Sequence, residues 1–581
     1  MYLLFMERKI NILRPDMGTV NTVRRALKSS VILAKVLVNR GVDTPEGAVS
    51  FMRPSLDTLV SPFAIKDMDK AVDRVSKALE KGEKILIFGD YDADGVTSTV
   101  VLLEFLTAAG ADVSWYIPHR DHEGYGFQER HIEETVIPPE TGLIITVDCG
   151  SGSHDAIDKA ARAGIDVIVT DHHTIDHDLP RAVAVINPRR RDCASGLEHL
   201  AGVGVAFYFV IGLRQKLREQ DHWKSRPEPN LREMCDLVAL GTIADLVPMV
   251  DENRVFTKIG LELIGTGNRP GLKALADACN INKTVVESDD VAFKMAPRLN
   301  AAGRINHAKD ALLLLVEESR KRAVQFAESL CEMNTTRKML ENAILKEIQA
   351  YLTDHPGRLE MRTIVLYRDS WQSGLLGIVA SRLVDHYFRP VVLISGKGDH
   401  CRGSARSIPG FDMYQGLESC SDLIREFGGH KMAAGLSIKA DQIERFSHAF
   451  EREARKRLPS EPMIPVMNVD CKLALWEISD RVLDELESMQ PFGSSVPEPL
   501  FLAEHVNIMF SKTVGENHRR LRLTQGGKGE RSGRGRAINA IQFNINPWES
   551  VPETYANVLF RLKWNYWNGK KSPQLIIEDA W

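Results

Sequence analysis

Three carboxylates stand at alternate positions in Lys84 to Ser98, which reads Lys-Ile-Leu-Ile-Phe-Gly-Asp-Tyr-Asp-Ala-Asp-Gly-Val-Thr-Ser. Asp90, Asp92 and Asp94 repel one another, each close pair costing on the order of 4 kcal/mol at 4 Å and an effective dielectric of 20, unless a cation lies between them. A divalent metal is therefore the chemistry these residues suggest. The plainer reading is a solvated acidic turn or a helix cap. Two more polar clusters follow, Asp148-Cys149-Gly150 and Asp171-His172-His173, and Asp245, after the apolar segment Leu237 to Ile243, is a fourth candidate. Singly, Asp148 reads as well as a cap for a helix after Gly152, and adjacent histidines as surface residues. Their recurrence favours metal.

The elements that must position these groups are legible as apolar runs. Lys84 to Gly89, Val113 to Ile117, Leu143 to Val147, Val167 to Thr170 and Val183 to Ile186 alternate with helix-like stretches, a pattern that predicts a parallel α/β sheet. Three of the polar clusters begin where such a run stops. In an open parallel sheet the carboxyl ends of the strands line one crevice, so separate segments deliver their acids and imidazoles to one place. Oxygen ligands with some imidazole suit Mg²⁺ or Mn²⁺.

At this point the chain becomes recognisable. Asp-Tyr-Asp-Ala-Asp-Gly at 90–95, Val-Asp-Cys-Gly at 147–150, Asp-His-His at 171–173 and Gly-Thr-Ile-Ala-Asp at 241–245 resemble, in order, the four motifs of the DHH phosphoesterase superfamily. Pro-Arg-Leu-Asn-Ala-Ala-Gly-Arg at 297–304, Gly-Ser-Ala-Arg-Ser at 403–407 and Gly-Gly-His-Lys-Met-Ala-Ala-Gly at 428–435 narrow the resemblance to its bacterial exonucleases specific for single-stranded DNA. The resemblance implies two-metal phosphodiester hydrolysis to mononucleotides in recombination and repair, with 5′-to-3′ polarity. Two ions, Mg²⁺ or Mn²⁺, would be held by Asp90, Asp92, Asp94, Asp148, His172 and Asp245. Asp148 would bridge them, and Asp171 and His173 would support ligands or the developing charge. Arg120, Arg298, Arg304, Ser404, Arg406, Ser407, Gly429 and His430 would bind substrate, with the backbone amides around Gly403 and Gly428 as further phosphate donors. Alternative readings are a phosphodiesterase of the same superfamily acting on short oligonucleotides, and a catalytically inactive DNA-binding replication factor.

The expected architecture is α/β: a parallel-sheet DHH domain and a smaller α/β DHHA1 domain joined by long helices, with a C-terminal OB-like β-barrel. The boundaries fall at 1–80 for an N-terminal helical cap, 81–307 for the catalytic domain, 308–355 for the helical connector, 356–460 for the DHHA1 domain and 461–581 for the barrel. Within the last, Asn517 to Arg536 reads as a flexible basic hairpin with Arg519, Arg520, Arg522, Lys528, Arg531, Arg534 and Arg536, and Trp564, Tyr566 and Trp567 as base-stacking candidates.

Composition sets the outer limits. With 581 residues, 44% hydrophobic and 26% charged, the chain is long enough for two to four globular domains. No apolar run is long enough to span a bilayer, and the opening Met1 to Met6 is too short for a signal-peptide core, so no membrane partner and a cytoplasmic location are expected. The eight cysteines show no Cys-x-x-Cys spacing, as befits reduced thiols. A net charge of −4 confines any grip on a polyanion to local basic clefts. The expected partner is single-stranded DNA held by its 5′ end, with a helicase and a single-strand-binding protein as further candidates and the protein itself a monomer.

Overall fold

The computed structural model describes residues 9–133, 140–175, 178–281, 285–461, 463–515, 517–525, 537–545, 551–567 and 570–581. Strand β1 (Lys9–Ile12) opens the chain, and the first sheet follows as β2 (Lys84–Gly89), β3 (Asp112–Tyr116), β4 (Thr141–Val147), β5 (Asp166–Thr170) and β6 (Ala184–Ile186). All its pairings are parallel, in the order β3-β2-β4-β5-β6. Each expected run is a strand, displaced by two residues at most. After β3 the chain crosses back to the other side of β2, so a topological switch point opens between β2 and β4, where ligands of such sheets bind.

Helix Ala93–Ala108 is apolar on nearly every side, because it lies between this sheet and helices Gly202–Glu219 and Cys235–Ala244. Its Val96, Val100, Leu102 and Phe105 are buried in the largest apolar core. The expected connector is helical throughout most of its length, as Lys309–Val316 and the 35-residue helix Arg320–Asp354, roughly 50 Å long at 1.5 Å per residue.

The second lobe holds β7 (Ile364–Tyr367), β8 (Val391–Ser395), β9 (Cys401–Arg406), β10 (Glu426–Gly429) and β11 (Ala433–Ile438), ordered β10-β11-β9-β8-β7. Here only β7 and β8 run parallel. The segment Gly403 to Arg406 is thus the middle of a sheet, and pairing with β8 and β11 engages its backbone on both sides. The expectation that these backbone amides are free phosphate donors is corrected accordingly, since the sheet engages them.

Past β12 (Val466–Val469) and β13 (Cys471–Lys472), β14 (Phe501–Val514), β15 (His518–Thr524), β16 (Ile538–Gln542), β17 (Thr554–Trp567) and β18 (Lys570–Ala580) close a five-stranded barrel, β14-β15-β16-β18-β17 and back to β14. Parallel pairing of β16 with β18 and antiparallel pairing elsewhere in the ring give the OB arrangement. The expected basic hairpin begins instead as strand β15, with Arg519 buried and Arg520 and Arg522 exposed, because Leu521 and Leu523 alternate with them into the barrel. Lys528, Arg531, Arg534 and Arg536 lie outside the described residues. Trp564 and Tyr566 turn their polar tips to Asp484 and Glu487, at 2.9 and 2.7 Å, with the Lys571 ammonium 4.4 Å from the Trp564 ring centre.

The stretch expected as an N-terminal cap divides between two bodies. Helices Met17–Leu27, Val31–Asn39 and Pro45–Met52 share one apolar core with the barrel, and β1 pairs in parallel with β12. Helix Met68–Lys81 joins the core of the first sheet. Apolar periodicity shows that a face is buried but not against what. Among the described residues, no helix is long and apolar enough to cross a membrane.

Candidate active site

Register builds the site. Gly89 of β2 is paired with Val147 of β4, and Val147 with Thr170 of β5, so the next residues, Asp90, Asp148 and Asp171, leave the sheet side by side. One oxygen each of Asp90, Asp92 and Asp148 falls within 4.8 Å of the others, and the same holds for Asp94, His172 and Asp245 and for Asp148, His172 and His173. Asp148 sits in the left-handed region at φ 58°, which an aspartate tolerates better than a branched residue. Gly202 makes room for it: a Cβ there would stand 2.6 Å from Asp148 Oδ1.

The acids divide their work. Asp92 caps helix Ala93–Ala108, its Oδ1 accepting from the amides of Asp94 (2.9 Å) and Gly95 (3.1 Å). Asp94 accepts from the amides of Gly202 (2.7 Å) and Val203 (2.9 Å), so both its oxygens also hold the start of helix Gly202–Glu219. His172 Nε2 is 3.2 Å from Asp148 Oδ1 and 3.6 Å from Asp245 Oδ2, and Asp245 ends helix Cys235–Ala244. Asp171 accepts from the amides of Ser151, His172 and His173 and approaches His173 Nδ1 at 2.8 Å. Tyr125 places its hydroxyl 3.2 Å from that nitrogen.

Electrostatics show what the cluster lacks. Burial and then the Asp92 charge push Asp90 well above the usual carboxylate range, and burial and then Asp94 do the same to Asp148. Asp94 rises to about 7, through burial and Asp92, and Asp245 to about 8, through burial and Asp94. His172, buried beside His173, falls to about 3 and is a neutral imidazole. His173 moves the other way: burial opposes its charge, but Asp171 lifts it to about 9. Asp171 in turn is held low by His173 against the effect of burial. Asp90 Oδ1, Asp148 Oδ1 and both ring nitrogens of His172 are buried without a hydrogen-bond partner. Hard oxygens with a neutral imidazole and unmet lone pairs fit Mg²⁺ or Mn²⁺.

Next to the acid-bearing turn, whose Tyr91 lines it, is a cavity of about 600 Å³, lined also by Arg120 and Tyr125 from the first lobe and by Gly374, Arg402 and Ser404 from the second. The Arg120 guanidinium lies 5.0 Å from the Tyr91 ring centre. Arg304 reaches across and donates to the Gly374 carbonyl at 2.9 Å. Burial and then the neighbouring Arg120 pull Arg304 down to about 9, and the same two causes lower Arg406. These three guanidinium groups crowd one region, and among the described residues none of them is in an ion pair. Arg406 packs against helix Ser373–Tyr387, where a Cβ on Gly377 would come within 2.8 Å of its Nη2.

Other expected substrate residues lie elsewhere or are engaged. Ser407 donates its hydroxyl to the Phe411 carbonyl at 2.7 Å. Arg298 donates to Lys294 O (2.6 Å) and Cys331 Sγ (3.1 Å) and does not line the cavity. Gly429, at φ 142°, permits the tight β10–β11 turn, since a Cβ would meet Ala433 O at 2.5 Å, and exposed His430 closes that turn through its amide. Sequence reasoning passed over Tyr91, Tyr125 and Asn300, although Tyr91 and Asn300 sit inside motifs already singled out. Asn300 Oδ1 accepts from the Ala93 amide at 2.8 Å.

Comparison with known proteins agrees with this layout. The DHH family, N-terminal domain, matches residues 84–242, the DHHA1 domain residues 360–456 and the RecJ OB domain residues 469–579. The chain is 35% identical to the single-stranded-DNA-specific exonuclease RecJ of Bacillus subtilis, over 100% of this chain and 71% of that one. For the protein of the same name from Salmonella typhimurium the figures are 36%, 95% and 96%. The crystal structure of RecJ from Thermus thermophilus in complex with Mn²⁺ superposes with a TM-score of 0.82 at 30% identity, covering 99% of this chain and 79% of that chain.

Proposed function

The chain belongs to the RecJ family of single-stranded-DNA-specific exonucleases, and from that premise we propose how its residues carry out the reaction: hydrolysis of single-stranded DNA, dependent on Mg²⁺ or Mn²⁺ and proceeding from the 5′ end, in recombination and repair. The observation that carries this reading is the acid cluster with Arg120, Arg304 and Arg406 grouped near it, Arg120 lining the cavity between the lobes.

Asp90, Asp92, Asp148, His172 and Asp245 are the residues that would hold the ions. When bound there, divalent cations would activate water and neutralise phosphoryl oxygens. The protein's own contribution is positional. Asp171, 2.8 Å from His173 Nδ1, orients that imidazole and favours its charged form, beside Asp148, where negative charge grows on the phosphate being cleaved. Arg120, Arg304 and Arg406, with Ser404, supply charge-assisted donors for the phosphates of the entering strand. The Tyr91 and Tyr125 rings offer apolar surface beside them. The passage lies between two lobes tied by a long helix, so an unpaired strand fits where a duplex is too wide. Monomeric state, a cytoplasmic location, and cooperation with a helicase and a single-strand-binding protein belong to the same reading.

The test compares oligonucleotides bearing a 5′-phosphate, a 5′-hydroxyl or a 3′ block. We expect a preference for the 5′-phosphate, a halt near a duplex junction, and loss of the phosphate preference in Arg406→Ala. A bidentate charged bond is worth about 1.5 to 3 kcal/mol, or roughly tenfold and more in apparent affinity. Digestion beginning at the 3′ side would overturn the polarity, and an unchanged preference in the variant would remove Arg406 from end recognition.

A further inference from the structure

We propose that Asn300 is a positioning residue for the Asp90–Asp92 turn, and that it leaves the second oxygen of Asp92 free for a divalent cation. The inference rests on the reading of the acid cluster as a metal centre.

The first N–H groups of a helix have no partner within the helix. At the start of Ala93–Ala108 Asp92 meets all but one of them. The Val96 amide donates to the Asp92 carbonyl at 2.9 Å, and those of Asp94 and Gly95 to Asp92 Oδ1. The remaining donor, Ala93 N–H, goes to Asn300 Oδ1 at 2.8 Å. Asp92 Oδ2 has no hydrogen-bond partner among the described residues. Without Asn300, the Ala93 amide, on a buried residue, would have to draw on that oxygen or shift the turn.

The rest of helix Ala296–Ile305 supports this role. A Cβ on Gly303 would stand 2.6 Å from the Tyr91 carbonyl, so the helix lies flush along the turn that carries Asp90 and Asp92. Asn300 acts one step further out, through the Ala93 amide beside Asp92, and outer partners that orient a metal's ligands typically change metal affinity by about 10- to 100-fold.

The experiment is Mn²⁺ titration by calorimetry of the full chain as wild type, Asn300→Ala, Asn300→Ser and Asn300→Asp, with metal-free melting curves beside it. We expect Mn²⁺ to bind Asn300→Ala about 10- to 100-fold more weakly than wild type. Asn300→Ser, whose hydroxyl is too short to reach, should behave alike and stands in if the alanine variant does not fold. Asn300→Asp keeps an acceptor oxygen in place and should restore affinity at unchanged stoichiometry. A purely structural role would lower the metal-free melting temperature and leave the Mn²⁺ dissociation constant alone. Equal affinity in wild type and Asn300→Ala, or an aspartate variant as weak as the alanine one, overturns the inference. Absence of Mn²⁺ binding in the wild type would overturn the metal reading itself, and this inference with it.

Discussion

Without metal, the folded acid cluster holds protons that the unfolded chain has released. Asp94 titrates near 7 and Asp245 near 8, against 3.8 when unperturbed, and His173 near 9 against 6.5. Stability falls with rising pH wherever the native state binds the extra protons. The three groups therefore act in the same direction, Asp94 up to about pH 7, Asp245 up to about 8 and His173 from 6.5 up to about 9, whereas His172, near 3, acts oppositely and only below 6.5, which leaves a window from 6.5 to 9. The metal-free protein should melt at progressively lower temperature across that window, and saturating Mn²⁺ should both raise the melting temperature and flatten its pH dependence, since the cation replaces the protons. A metal-free curve independent of pH would sink the argument. The acids themselves were legible in the sequence, because like charges at close spacing require an explanation. Asn300 was not: a neutral amide inside a motif carries no charge to account for, and the arginines beside it drew the functional reading.

At the scale of elements, strands β2 to β6 could be read from their apolar runs, since a buried parallel strand has few other ways to be written. Strand β9 was harder. Its Gly403, Ser404 and Arg406 look like a phosphate loop, and only the pairing on both sides shows a central strand. Strand β15 taught the same lesson, because arginines alternating with Leu521 and Leu523 form the outer face of a barrel. On that face Arg520 is opposite Lys512 and Arg522 opposite Phe510. We expect the double variant Arg520→Ala, Arg522→Ala to bind long single strands more weakly, with the slope of log affinity against log salt shallower by about 1.4, at roughly 0.7 for each phosphate no longer neutralised. Cleavage of an oligonucleotide too short to reach the barrel should be unchanged. Binding measured over a salt series checks this, and an unaltered slope would place the strand on another face.

The molecule as a whole is less divisible than its motifs suggest. Helices of residues 17–52 are buried against a barrel more than 400 residues away in sequence, and no local signal marks which distant segments share a core. A deletion from Glu461 onward would uncover Val20, Leu33 and Leu37, so the barrel is better probed by substitution. Among the contacts across the joint is Arg254, which is fully buried in helix Asp251–Thr266 of the catalytic body. Its guanidinium donates to Phe51 O at 2.9 Å, Pro491 O at 2.8 Å and Met489 O at 2.5 Å, and lies 3.8 Å from the Phe51 ring centre. Burial alone pulls it down to about 9, so it stays charged at neutral pH with carbonyl oxygens for company. One planar fork thus fastens the N-terminal helices and the approach to the barrel onto the first lobe. Lysine keeps the charge, but a single ammonium cannot match the planar fork across these carbonyls, which also include Gln490 O at 3.3 Å. Arg254→Lys should therefore leave at least one buried carbonyl unmet, at about 1–3 kcal/mol each. The loss should be local before it is global: hydrogen exchange should rise first in residues 17–52 and 471–577, while the amides of β2 and β4 stay protected. Uniform acceleration across both bodies, or no change at all, would show that the joint is held elsewhere.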